Sequence, residues 1–208
     1  MYYITEFDIL DTIYKLRCAP LDWIMRFFTM LGEGGVFWIS VVIVLIIIPK
    51  TRRVGICAAA ALTVEALIVN VTIKPVVKRV RPCLANSSRT IDTIVRVPND
   101  YSFPSGHAAA SFVVSTVIAR HKRLYGAISL ITSVLIGFSR LYFYVHYPTD
   151  VLTGAVIGVI VGILMDKLTI YMLKRHDAKK NALTAQSENN CKDSPEDTFD
   201  VTASHREE

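Results

Sequence analysis

The chain has 208 residues, 52% of them hydrophobic and 20% charged, with a net charge of +5 and a mean hydropathy of +0.40. A soluble domain of this length carries more charge, and here the apolar residues fall in long blocks with the charge gathered between them, which argues for several membrane spans over one water-soluble core. The basic residues sit in short loops beside those blocks without an aromatic-interleaved stripe, which argues against a nucleic-acid partner, and Cys18, Cys57, Cys83 and Cys191 form neither a CxxC pair nor a metal-ligand spacing.

Residues 1–31 mix acidic, basic and large apolar side chains, with Ile4, Phe7, Leu10, Ile13 and Tyr14 at roughly helical spacing. This pattern predicts short amphipathic helices lying on the membrane surface. No basic-then-apolar order of a cleavable signal peptide is visible. The first span covers 34–48, closed by Pro49, and is short of the roughly 20 residues of a full crossing. A second span covers 54–73 and is followed by a polar stretch over 74–103. The third span, 105–119, ends in Arg120, His121, Lys122 and Arg123; the fourth covers 124–144 and the fifth 149–173. From Lys174 the chain turns polar without apolar periodicity, the pattern of a disordered tail. The expected fold is therefore all-α, a polytopic membrane helix bundle of about five transmembrane helices. Its parts are an interfacial segment 1–31, a membrane-embedded core 32–173 and a polar tail 174–208.

Basic clusters follow the first, third and fifth spans: Lys50, Arg52 and Arg53; Arg120 to Arg123; and 174–180. In a five-span bundle these ends share one side, which the positive-inside rule assigns to the cytoplasm. The opposite face then holds three further clusters: Lys74 with Arg81-Pro82, Pro104-Ser105-Gly106-His107, and Ser139-Arg140 with His146 and Asp150.

Each part of that outer face suits phosphoryl transfer. Lys74 and Arg81 supply fixed positive charge, and Arg140 can grip two phosphate oxygens at once. Pro104 is suited to open a helix, whose first turn at Ser105, Gly106 and His107 would offer backbone N–H groups to an anion. His146 and Asp150 are four apart, so the carboxylate can accept the Nδ1 hydrogen and leave Nε2 aimed outward as a nucleophile. His107 would be the general acid for the leaving oxygen and then the base for water. His121 and His176, among the cytoplasmic basic clusters, receive no catalytic role. Lys78, Arg79, Arg89 and Arg96 read as solvated side chains, and Glu65 and Asn70 as hydrogen-bonded contacts within the second span. Trp23, Trp38, Tyr142, Tyr144 and Tyr147 read as a set containing interface anchors.

These residues resemble the type 2 phosphatidic acid phosphatase family, which shares its site with the vanadium haloperoxidases. The family signature K-x6-R-P, P-S-G-H, S-R-x5-H-x3-D is complete and in order here, and the resemblance covers roughly residues 30–173. It implies that Lys74, Arg81, Ser105, Gly106 and Arg140 bind phosphate, that His146 is the nucleophile oriented by Asp150, and that His107 is the acid/base. It also implies chemistry without a metal or other cofactor, a lipid substrate, and a plasma (inner) membrane location with the site on the extracytoplasmic face and the tail in the cytoplasm. The short N-terminus is similar to small undecaprenyl-diphosphate phosphatases, which favours undecaprenyl diphosphate over phosphatidylglycerol phosphate, phosphatidate or lipid A-type phosphates. A polyprenyl-phosphate transporter or binder is the alternative class, distinguished by loss of His107, His146 or Asp150, all of which are present. A vanadate-dependent oxidase shares the pocket but does not suit a multispan chain.

Overall fold

The computed structural model describes residues 5–85, 95, 97 and 99–192. The expected readings of Arg89 and Arg96, and of the side chains of His176 and Cys191, fall outside that description. Nine α-helices and no strand occur among the described residues: α1 (Glu6–Tyr14), α2 (Ala19–Gly32), α3 (Val36–Ile47), α4 (Arg52–Ala66), α5 (Lys74–Val77), α6 (Pro82–Ala85), α7 (Gly106–His121), α8 (Arg123–Tyr142) and α9 (Pro148–Lys192). The chain divides into two compact units, Met1–Thr169 and Ile170–Glu208. The first contains the residues of the three motifs; the second is helical through Lys192. A disordered tail was expected from Lys174, but the helix continues to Lys192; residues 174–192 hold neither Gly nor Pro and include four Lys and three Ala, which favour helix.

Among the described residues, four runs are long and apolar enough to cross a membrane: Ala19–Ile47, Arg52–Ala85, Arg123–Tyr142 and Pro148–Asn181. The expected third span is α7, which at 16 residues is the shortest of the set. Its residues are small and mostly buried, from Ala108 and Ala109 through Val113, Val114 and Val117, because α4, α8 and α9 pack around it. The outer helices show the inverse pattern. Large apolar side chains such as Ile39, Ile43, Ile128, Ile131, Leu152, Val156 and Ile160 point outward, as a bilayer solvent requires.

Glycine sets how closely the inner helices approach. A Cβ on Gly154 would lie 2.5 Å from the Ser105 carbonyl oxygen, one on Gly158 2.5 Å from the Ala109 oxygen, and one on Gly162 3.0 Å from the Val113 oxygen. These three residues, one turn apart, form a small-residue seam that brings the α9 backbone against α7. The seam ends at Asp166, a buried carboxylate that accepts from Arg120 and, at 2.6 Å, pairs with His121. Polar contacts add to the core: Trp38 Nε1 donates to Ser111 Oγ at 2.8 Å, and Ser133 Oγ donates to the Ser111 oxygen at 3.0 Å.

The N-terminal segment departs from a flat surface layer. Helix α1 opens with a capping box in which Thr5 and Asp8 satisfy each other's backbone N–H groups, and its Leu10 is fully buried against Tyr144 and Tyr147. Helix α2 packs on α8 and buries Met25, Thr29 and Gly32, then meets α3 across Gly34 and Gly35, both at positive φ (58° and 70°). Of the aromatic residues expected to include interface anchors, only Trp23 is exposed. Trp38, Tyr142, Tyr144 and Tyr147 are buried, and Tyr142 and Tyr144 donate to Asp22 (2.6 Å) and Asp11 (2.8 Å).

The seam generates a stability prediction. Gly158→Val forces α7 and α9 apart against backbone atoms that cannot rotate away, so it should destabilise the protein by about 1–3 kcal/mol or more. Thermal unfolding in detergent would read this as a lowered Tm, whereas an unchanged Tm would show that the seam tolerates a wider spacing.

Candidate active site

The second span loses its regular winding before it reaches the site. Residues Leu67–Ile73 form a π-helical segment, and Lys74 follows at the start of α5. Such segments redirect the side chains beyond them. Helix α5 ends at Lys78, which adopts a left-handed conformation (φ 52°) that turns the chain back on itself. Beyond the turn, Arg81 is buried and donates to Asp100 Oδ1 (2.5 Å), the Asp100 oxygen (3.0 Å) and the Val145 oxygen (2.9 Å). Lys74 also pairs with Asp100. Half-burial works against ionisation of Asp100, yet the hydrogen bonds and charge of Lys74 and Arg81 hold its carboxyl below the usual range.

The second motif forms the start of α7. Ser105 is the N-cap, its hydroxyl accepting from the Ala108 N–H at 3.4 Å, and its own N–H donates to the Asp150 oxygen at 3.0 Å. The third motif is thereby tied to the second. A Cβ on Gly106 would stand 3.4 Å from Asn70 Oδ1 and 3.7 Å from Lys74 Nζ, so backbone and cation share one small space. His107 packs against α2 so tightly that a Cβ on Gly32 would lie 2.5 Å from its Cδ2.

Arg140, in the last turn of α8, is 1% exposed. Its Nη1 donates to Thr29 on α2, while Nε and Nη2 have no hydrogen-bond partner among the described residues, nor does His107 Nε2. Nε and Nη2 present two parallel N–H bonds on one edge of the guanidinium, the geometry that takes two oxygens of one phosphate. Leaving such donors unmatched costs about 1–3 kcal/mol each, which marks the spot as built for an anion.

His146 lies in the turn between α8 and α9, where Tyr144 takes a positive φ of 60° and the N–H groups of Val145 (3.1 Å) and His146 (3.3 Å) both reach the Arg140 oxygen. Its Nδ1 is 3.4 Å from Asp150 Oδ2, and its Nε2 is 3.0 Å from Arg81 Nη1. Since a guanidinium only donates, these neighbours assign the proton to Nδ1 and the lone pair to Nε2. Burial, reinforced by the charges of Arg140 and Arg81 and opposed by Asp150, pushes the imidazole pKa down to about 3. Neutral His146 is thus the form present near pH 7. The three motifs meet here: Lys74, Gly106 and His107 line one cavity, Arg81 touches His146, and the Ser105 N–H reaches the Asp150 backbone oxygen.

Sequence reasoning missed several members. Ser102, fully buried, donates to Asp150 Oδ2 at 2.5 Å and lies 3.5 Å from His146 Nδ1. Thr29, Gly32, Asp100 and Glu6 carry no motif signal, since their roles arise only when distant segments meet. Arg79, expected to be solvated, pairs with Asp150 and Glu6; only its place two residues before Arg81 hinted at more. Glu65 is buried, but its Oε1 has no partner, contrary to the expected hydrogen-bonded helix contact. It lines a cavity of about 330 Å³ that runs from Lys74, Asn70 and His107 to an apolar end at Ile39, Leu62, Ala66 and Ala110. Among the described residues, no three His, Cys, Asp or Glu side chains gather as a metal set.

Residues 54–173 match the family model of the PAP2 superfamily, and the chain belongs to that superfamily. Among curated relatives it is 31% identical to the undecaprenyl-diphosphatase of Sulfolobus acidocaldarius over 73% of this chain and 72% of that protein. It is 32% identical to the undecaprenyl-diphosphatase BcrC of Bacillus subtilis over 76% of this chain and 81% of that one. Among solved structures it is similar to Aquifex aeolicus LpxE (TM-score 0.69, 30% identity, 79% of this chain and 96% of that chain). It is also similar to the Bacillus subtilis PAP2-type phosphatidylglycerolphosphate phosphatase (TM-score 0.64, 25% identity, 78% and 83%). The chain is a multi-pass membrane protein of this superfamily.

The buried hydroxyl of Ser102 yields a direct test. Ser102→Ala removes a hydrogen bond to a charged group, worth about 1.5–3 kcal/mol, and should lower kcat about tenfold or more with KM nearly unchanged. Steady-state phosphate release would measure both constants; an unaltered kcat would mean that Asp150 is held without Ser102.

Proposed function

We propose that the protein is an integral membrane lipid phosphatase that hydrolyses undecaprenyl diphosphate, or a closely similar polyprenyl diphosphate, through a phosphohistidine intermediate. The observation that carries this reading is the set of buried side-chain nitrogens without partners among the described residues, Arg140 Nε and Nη2 and His107 Nε2, in the site that holds a neutral His146. With Lys74, Arg81 and the first-turn N–H groups of α7, they form a preorganised cradle for the equatorial oxygens of a transferring phosphoryl group. A phosphate drawing on Lys74 and Arg81 competes with Asp100 for both.

In the first step the Nε2 lone pair of His146 attacks phosphorus, forming the N–P bond as the bridging P–O bond breaks. The departing oxygen takes a proton from His107, whose protonated form the negative charge of the bound substrate favours. Asp150 stabilises the positive charge on the phosphorylated ring through Nδ1–H. In the second step a water gives its proton to His107 and its oxygen to phosphorus, the N–P bond breaks, and orthophosphate leaves with both histidines restored. The cations and backbone dipoles neutralise the phosphate without a metal. The cavity beside His107, polar at one end and apolar at the other, suits a leaving group that joins a phosphate to a hydrocarbon tail.

The substrate preference follows the relatives: two are undecaprenyl-diphosphatases, and the alternative lipids are the phosphatidylglycerol phosphate and lipid A classes. We place the site on the extracytoplasmic face of the plasma membrane, with the C-terminal segment cytoplasmic, because the basic clusters follow the opposite ends of the helices. The test is phosphate release in detergent with EDTA present, from undecaprenyl diphosphate, phosphatidylglycerol phosphate and phosphatidate. Release is expected from wild type, fastest with the diphosphate, and none above background from His146→Ala. A fully active His146→Ala protein would end the mechanism, and a folded wild type that releases nothing would favour a binder or transporter.

A further inference from the structure

Helix α1 carries a charge into the catalytic centre, which a surface helix has no need to do. Glu6 Oε1 accepts from the N–H (3.1 Å) and the hydroxyl (2.5 Å) of Thr149, in the first turn of α9. Glu6 Oε2 pairs with Arg79. Arg79 Nη1 in turn donates to Asp150 Oδ1 at 2.7 Å and to Thr149 Oγ1 at 2.7 Å, and its guanidinium stacks 3.8 Å from the centre of the Tyr147 ring. The other oxygen of Asp150 accepts from Ser102 and from the Tyr147 N–H (3.0 Å) and faces His146. Charges therefore alternate along an unbroken chain, Glu6, Arg79 and Asp150, which ends on the His146 ring.

The packing beneath this chain holds α1 in place. Leu10 is fully buried, Phe7 meets Tyr147 edge-on with centroids 5.5 Å apart, and Tyr144 donates to Asp11. The helix thus docks on the turn that bears His146.

We infer that Glu6 is a positioning residue for catalysis, acting on His146 through Arg79 and Asp150, so that α1 is a working part of the active site. The physical reason is the sign of the charges. Arg79 orients Asp150 but also offsets its negative field, and Glu6 neutralises Arg79, returning to Asp150 the strength it needs to stabilise a positively charged phosphohistidine. Without Glu6, an uncompensated guanidinium stands beside the carboxylate that serves the nucleophile. This inference rests on the proposed phosphohistidine reaction.

The test is a double-mutant cycle of Glu6→Gln and Arg79→Gln, with Arg79→Lys as the charge-retaining variant. Glutamine at position 6 can still accept from Thr149, so the cap of α9 survives while the charge is lost. Glu6→Gln should lower kcat about 3–10-fold with KM within about twofold, and Arg79→Gln should lower it further. Arg79→Lys should fall between Arg79→Gln and wild type. Because Glu6 acts only through Arg79, the double variant should match Arg79→Gln alone. A Glu6→Gln protein with wild-type kcat, or losses that simply multiply in the double variant, would overturn the inference. A readout without turnover separates it from the function it rests on: in nitrogen-15 spectra of histidine-labelled protein, Glu6→Gln should shift the His146 resonances, assigned by their loss in His146→Ala. If wild type releases no phosphate the functional reading falls, and an unshifted His146 signal would overturn the positioning inference by itself.

Discussion

Three cations, Lys74, Arg81 and Arg140, are buried together at one end of an apolar bundle. Such charges lose their hydration and repel one another, so the surrounding structure must supply negative charge and hydrogen-bond acceptors or the fold cannot hold them. Asp100 answers Lys74 and Arg81, the Val145 carbonyl takes a further Arg81 donor, and Thr29 takes one donor of Arg140. Those partners leave two parallel Arg140 donors and one His107 nitrogen uncommitted. That unmet demand for an anion is the feature on which the proposed phosphate site rests.

The same demand explains the shape of the bundle around it. A helix start must lie at the level of the cations, so the N-terminus of α7 ends inside the protein, and α7 can be short because its neighbours enclose it. Enclosure requires backbones to approach closely, which the Gly154, Gly158 and Gly162 seam permits. The tie from the Ser105 N–H to the Asp150 oxygen fixes the helix that presents backbone donors to the helix that supports the nucleophile. Rigidity at this junction matters because a preorganised cradle works only if its donors need not move when the phosphoryl group transfers.

A second layer holds the catalytic carboxylate. Both oxygens of Asp150 are engaged, by Ser102 and the Tyr147 N–H on one side and by Arg79 on the other. The orientation of His146 is thus shared among the pre-α7 loop, the turn after α5 and, through Glu6, helix α1. The N-terminal segment reads as a peripheral amphipathic surface in one dimension, yet α1 docks on the nucleophile turn and α2 supplies Thr29 and Gly32 to the centre.

The sequence by itself determined the class of fold and brought forward the residues proposed to react. Long apolar blocks can only be helices in a bilayer, where every backbone N–H and carbonyl must be satisfied within its own segment. Three motifs at the same ends of those helices brought Lys74, Arg81, His107, Arg140, His146 and Asp150 together on one face, because spacing along a spanning helix maps directly onto depth. Tertiary structure alone decided the second layer. Glu6 and Arg79, Thr29 and Arg140, Ser102 and Asp150, and Gly32 and His107 are joined across separations that no local periodicity encodes. Their identities, an ordinary surface glutamate or a threonine in an apolar run, carry no chemistry until packing removes water and makes each hydrogen bond count.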